Sequence, residues 1–196
     1  RVLRGRAHLK ELLKRYEEAL QDNEQALQIL KEQSGSKDPE TLSCCGAIGY
    51  DLLRLHRYEE AAAYLEEYLN ILKNDPETEP KVLISALLDL ELAQDGCGRY
   101  EDLCGTCKEL LYRQQELLGE EHIEIAKIRE RYAFVLLKLD KFAEAKEQAG
   151  KALKLYRKFC GPKDAGALRA ADLLSRALTS LEEFEDAAAV LEELQQ

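Results

Sequence analysis

The sequence predicts an all-α protein, a solenoid of five stacked helix hairpins forming one array over residues 1–196, and three observations carry that expectation. An aromatic residue returns every 42 residues, at Tyr16, Tyr58, Tyr100, Phe142 and Phe184. Three residues after each comes Ala19, Ala61, Leu103, Ala145 or Ala187, and three before it comes Leu13, Leu55, Cys97, Leu139 or Leu181. All four prolines (Pro39, Pro76, Pro80, Pro162) fall in one short window of the repeat, and Gly35, Gly119 and Gly161 share a phase. Proline is excluded from helix interiors and glycine favours helix ends, so that window is the loop between units.

Taken in order, the units span about residues 1–34, 41–75, 82–117, 124–159 and 166–196. The fourth shows the pattern of all. Ile125, Ile128, Tyr132, Val135, Leu136 and Leu139 recur at spacings of three and four, one apolar stripe on a first helix. Asp140 and Lys141 mark a tight turn, and Phe142, Ala145, Ala149, Ala152, Leu153 and Tyr156 give the stripe of a second helix. The small residue at the Ala19 phase lets paired helices approach, and the aromatic fills the wedge between hairpins. A lone hairpin cannot bury both stripes, so neighbours must stack.

The third unit departs from this. Glu91 stands where a small residue belongs, Gln94 and Cys97 where apolar ones do, and Gly96 and Gly98 loosen its turn. Either Leu88 and Leu92 form an exposed apolar floor, or the helix is rotated and they join the core. The chain starts at Arg1 inside a helix, without Met, and stops in a second helix at Gln196, so it reads as a fragment of a longer protein.

A hydrophobic fraction of 45% supplies a real core, and no apolar run is long enough to span a bilayer, which excludes a membrane protein. A net charge of −10 argues against nucleic-acid binding, which depends on Lys and Arg to displace counterions from phosphate.

Arg57-Tyr58-Glu59-Glu60-Ala61, Lys141-Phe142-Ala143-Glu144-Ala145 and the loop Leu118-Gly119-Glu120-Glu121-His122 resemble the tetratricopeptide repeat (TPR). The usual repeat of that family is 34 residues, and the 42-residue period with its Gly-containing loop is similar to the kinesin light chain type. The resemblance covers nearly the whole chain. It implies a right-handed α-solenoid superhelix of five TPR helix hairpins, without catalysis or cofactor, that serves as a scaffold or adaptor. A peptide or helix of a partner would lie on the concave groove formed by the first helices. Carried over by phase, His8, Tyr50, Leu92, Phe134 and Arg176 face that groove, with Gly5, Ala47, Asp89, Arg131 and Leu173 beside them. Kinesin-light-chain-type repeats commonly carry an Asn pair before the small residue of the first helix; none of the corresponding residues here is Asn. The carboxylate clamp of chaperone-binding members is missing for the same reason. The resemblance also leaves a second role open, a sensor or regulatory array of a larger, NTPase-linked or otherwise multidomain signalling protein.

Charge is uneven along the array. Residues 122–180 hold 13 Lys and Arg against 7 Asp and Glu, a balance of +6, which leaves −16 for the rest. Lys127, Arg131, Lys138, Arg169 and Arg176 fall by phase on the concave side near Phe134, and this set suits an acidic peptide with an apolar anchor. The bland alternative is a solvated face whose cations pair with Glu130 and Asp172. Together with Tyr50, Leu88 and Leu92 these residues are the candidate partner-binding set.

Six cysteines occur, and Cys104-Gly105-Thr106-Cys107 has the spacing of a redox dithiol. It lies inside a second helix rather than at the helix N-terminus where such motifs work, so packing is the expected role. No second Cys or His cluster completes a zinc site. Unpaired, irregularly spaced thiols fit a reducing compartment, hence the cytoplasm. His122 sits at a loop position that suits the start of a helix better than general-base catalysis.

Overall fold

The repeat fixes where each helix begins and ends, and the computed structural model, which describes residues 2–193, shows how the backbone meets that demand. The expectations for Arg1 and for the chain end at Gln196 lie outside the described residues. Ten helices occur among those described: α1 (Val2–Leu12), α2 (Tyr16–Ser34), α3 (Pro39–Arg54), α4 (Tyr58–Lys73), α5 (Pro80–Cys97), α6 (Tyr100–Leu118), α7 (Ile123–Lys138), α8 (Phe142–Phe159), α9 (Ala165–Ser180) and α10 (Phe184–Glu192). The fold is all-α. Each periodic aromatic is the first residue of an even-numbered helix.

The odd-numbered helices all stop in the same way. Lys14, His56, Gly98, Asp140 and Glu182, again 42 residues apart, adopt left-handed backbone with φ of 59°, 58°, 70°, 55° and 62°. The next residue then donates its N–H to a carbonyl five positions back, as Arg57 does to Leu52 at 3.0 Å and Lys141 to Leu136 at 2.9 Å. This satisfies carbonyls that a helix end leaves without partners. Gly98 is therefore the favoured residue at a conformation its four counterparts adopt at a cost. Gly96 does not loosen the turn either. A Cβ there would meet the Tyr58 ring at 2.3 Å, so the glycine is what lets that aromatic pack. The acidic pair Glu182/Glu183 lies in one of these turns, ahead of α10.

The starts of α3, α7 and α9 also share one device. Asp38, His122 and Asp164 are N-caps: Asp38 accepts from the Glu40 N–H at 2.9 Å, His122 Nδ1 from the Glu124 N–H at 3.1 Å, and Asp164 from the Gly166 N–H at 2.8 Å. His122 thus opens a helix, as its loop position suggested. In α5 the same phase holds Pro80 as the first helical residue, a place where its missing N–H costs nothing.

The chain forms two compact units that part between Arg99 and Tyr100. In the first, α1 packs on α2, α2 on α3, α3 on α4 and α4 on α5, and α3 also touches α5. Its core includes Ile48, Leu65, Leu72 and Leu87, each about 2% exposed or less. Burying a side chain of this size contributes roughly 1.5–3 kcal/mol. In the second unit α6 packs on α7, α7 on α8, α8 on α9 and α9 on α10, while α7 also touches α9. Leu103, Ile125, Val135 and Leu136 are fully buried there. The small-residue phase is buried throughout, at Ala19, Ala61, Leu103, Ala145 and Ala187. No described helix is long and apolar enough to cross a membrane.

Candidate functional site

The second unit carries the cationic candidates. Phe134 of α7 is half-buried and packs on the cluster formed by Ala133, Ala149 and Leu173, next to Leu137 and Leu174. The Arg131 guanidinium and the Lys138 ammonium both lie 5.4 Å from its ring centroid. One helical turn separates each from Phe134, so the ring holds a cation from either side along the helix axis. Leu173, expected beside the groove, is instead a core residue of this cluster, only 6% exposed.

Arg169, Lys127 and Arg176 lie against carboxylates. Arg169 of α9 grips Glu130 of α7 with Nε at 2.5 Å and Nη2 at 3.3 Å. The Tyr156 hydroxyl of α8 donates to the same carboxylate at 2.6 Å. Burial first, and then this hydrogen bond to Glu130, raise the tyrosine's pKa. Lys127 pairs with Glu124 at 2.7 Å, and Arg176 lies 3.7 Å from Asp172, both at exposed positions. Such exposed pairs are worth little. The pairing of cations with Glu130 and Asp172 is therefore present, and within the candidate set Arg131 and Lys138 face an aromatic ring.

The first unit carries the apolar candidates. Tyr50 of α3 is 43% exposed, and its ring meets Tyr16 edge-on at 6.3 Å. Tyr50, Ala47 and Asp89 line a cavity of about 510 Å³ that Glu11 and Lys81 also border. Leu88 and Leu92 of α5 are 42% and 53% exposed, so α5 has not rotated to make them core. Leu83, Leu87 and Leu90 take that role. Gln94, in a core phase, is buried and reaches Glu66 at 3.4 Å.

The residues that set the repeat also identify the chain. The family model of the tetratricopeptide repeat matches residues 1–74 and 124–195. The chain belongs to the TPR family. Solved structures agree with the TPR fold. Nearly identical TPR-like repeats from a kinesin light chain candidate of Podosopora anserina are 18% identical, with a TM-score of 0.77 over 99% of this chain and 92% of that one. The apo form of RapI is 14% identical, with a TM-score of 0.75 over 97% of this chain and 51% of RapI. BtubC (BKLC) from P. vanneervenii is 16% identical, with a TM-score of 0.56 over 93% and 89%. No curated protein sequence matches the chain.

Two determinants of these TPR surfaces escape sequence reasoning. A Cβ on Gly166 would meet the Tyr156 ring at 2.3 Å, so this glycine seats the tyrosine against the start of α9 and within reach of Glu130. Inside the first unit, Asp51 is fully buried; burial pushes its carboxyl up to about 7, while the amide of Asn23 opposes this. A search for small residues at one phase would have found Gly49, which faces Leu65, but Gly166 lies outside that phase. Cys104 and Cys107 are buried free thiols on one face of α6, in keeping with packing. All six cysteines are free, and no group of three or more metal-ligating side chains occurs among the described residues.

Proposed function

We propose that this TPR protein is a non-catalytic scaffold or adaptor, and that the α7 and α9 face of its second unit holds an acidic segment of a partner protein by an apolar anchor. TPR folds generally serve protein–protein interaction. The observation that carries the finer reading is Phe134, half-buried, with Arg131 and Lys138 on its ring. A partner's apolar side chain would cover the ring while its carboxylates meet the two cations, Arg131 in bidentate fashion. Arg169, Arg176 and Lys127 would extend the attraction after exchanging their present carboxylate partners. Tyr50, Leu88 and Leu92 would serve as apolar contacts of the first unit. The six free thiols support a reducing, cytoplasmic setting.

The test is fluorescence anisotropy with a labelled peptide carrying a central leucine flanked by glutamates. Phe134→Ala and Arg131→Glu are expected to weaken binding at least about tenfold, in line with a loss of roughly 1.4 kcal/mol or more. Unchanged affinity in both variants, with circular dichroism unaltered, overturns the reading.

A further inference from the structure

The helices α3 and α5 touch, yet they leave open space between them. Ser43, Gly46, Ala47 and Tyr50 fall at spacings that place them on one face of α3, and Val82, Ser85, Ala86 and Asp89 do the same on α5. All line cavities of the first unit. Most are too small to fill the gap between two helix backbones. One cavity, of about 510 Å³, lies toward Tyr50 and Asp89, and the other, of about 650 Å³, toward Pro39 and Leu42. Tyr68 and Val82 border both, so they are parts of one cleft. Tyr68 comes from α4 and is 6% exposed. Its hydroxyl lies 3.7 Å from where a Cβ on Gly46 would sit, which makes Tyr68 the floor. Residues 39–50 of α3 run along the cleft for about 16 Å, the length of roughly five extended residues.

Its charge is one-sided. Glu11 and Asp89 border the first part, against Lys81. Asp75, Glu77 and Glu79 border the second, against Lys37. Asp89 is half-buried and forms no ion pair among the described residues, and burial pushes its carboxyl up to about 6. A half-buried carboxylate without an ion-pair partner gains more from an incoming cation than an exposed one does.

We infer that the α3 and α5 cleft of the first unit takes an extended basic segment of a partner protein, with an apolar side chain over Tyr68 and Lys or Arg side chains toward Asp89 and toward Asp75 and Glu79. The selectivity is opposite in sign to that of the α7 and α9 face. It rests on the same premise, that the scaffold binds protein segments, and apart from Tyr50 it uses different residues and a different probe.

The experiment uses the full chain and three labelled peptides: one with arginines at both ends and a central leucine, the same with the leucine replaced by glycine, and the acidic peptide described above. The leucine peptide is expected to bind at least about fivefold more tightly than the glycine peptide. Asp89→Lys and the cleft-filling Ala47→Phe should each weaken its binding about tenfold or more, while leaving the acidic peptide's affinity and the circular dichroism of the chain unchanged. Equal affinity for the leucine and glycine peptides would mean simple attraction to an acidic protein and would overturn the inference. So would unchanged binding of the leucine peptide to both variants, or its failure to bind at millimolar concentration. Failure of the acidic peptide alone would remove the reading of Phe134 and leave this one standing.

Discussion

Asn23 donates its side-chain amide to Asp51 at 2.8 Å, inside the first unit where both residues are almost wholly buried. The same amide reaches Glu11 at 3.2 Å, and the second oxygen of Asp51 has no hydrogen-bond partner. Among the described residues no cation pairs with Asp51. Burial therefore favours its protonated form, with a folded pKa of about 7 against an ordinary value of 3.8. For an acid whose folded pKa is raised, stability falls as pH rises from the unfolded pKa to the folded one and then levels off. Asp51→Asn removes that loss. The variant is expected to gain stability relative to the parent as pH goes from 5 to 8, by about 2 kcal/mol, read as the difference between urea midpoints at the two values. A difference that stays constant with pH would show that Asp51 is already ionised in the fold.

Asp22 gives the opposite sign. Arg6 and Lys10 contact its carboxylate at 2.5 and 2.7 Å, and the hydrogen bond from Arg6 first, opposed by burial, brings the acid down to about 2. Stability from this group is present above pH 4 and disappears as pH falls through about 2. Asp22→Asn should cost about 1–2 kcal/mol at neutral pH and progressively less in acid, when thermal midpoints of parent and variant are compared at each pH.

The left-handed turn residues make a third case. Asp140 and Gly98 have the same backbone role with φ of 55° and 70°, but only the glycine adopts it without steric cost. Asp140→Gly is expected to stabilise by up to about 1 kcal/mol and Gly98→Ala to destabilise by a similar amount. Nothing lies within 4 Å of a Cβ built on Gly98, so strain alone sets the second value. Paired denaturant titrations measure both, and equal stability of Gly98→Ala and its parent would refute the account.

Periodicity made the helices and their loops legible. A phase that recurs at Tyr16, Tyr58, Tyr100, Phe142 and Phe184 reports a structural position directly, because every copy must solve the same packing problem. The left-handed positions were harder to find, since Lys14, His56 and Glu182 are not turn-formers and declare themselves only through the aromatic that follows two residues later. In the candidate site, residue type placed Arg131, Lys138 and Phe134 on one helix face, and α7 does so. Which cations are already satisfied was not legible. Arg169 meets Glu130 across a separation of 39 residues, and that contact depends on how closely α9 approaches α7, which no local pattern encodes.

Close approach at Gly166 can be tested on its own. A methyl at this position would overlap the Tyr156 ring, and neither the backbone of α9 nor a ring buried to 3% exposure can move freely. Gly166→Ala should cost about 1–3 kcal/mol. Tyr156→Leu, which empties the same space, should restore part of that loss in the double variant. Additive losses would place the cost elsewhere.

The contact between Glu130 and Arg169 also bears on binding. Glu130 is mostly shielded, with a side-chain exposure of 15%, while Arg169 is 60% exposed, so the carboxylate is an internal competitor for a cation that faces solvent. In Glu130→Gln the competitor loses its charge, and Arg169 becomes available to a carboxylate of the bound segment. The Tyr156 hydroxyl can still donate to the amide oxygen, so the substitution keeps that hydrogen bond. Affinity for the acidic peptide is expected to rise about three- to tenfold, the equivalent of roughly 0.7–1.4 kcal/mol. In Glu130→Gln with Arg169→Ala the gain should fall to the small part due to net charge alone. An increase that survives Arg169→Ala in full would mean that the arginine takes no part in recognition and that Arg131 and Lys138 act without it.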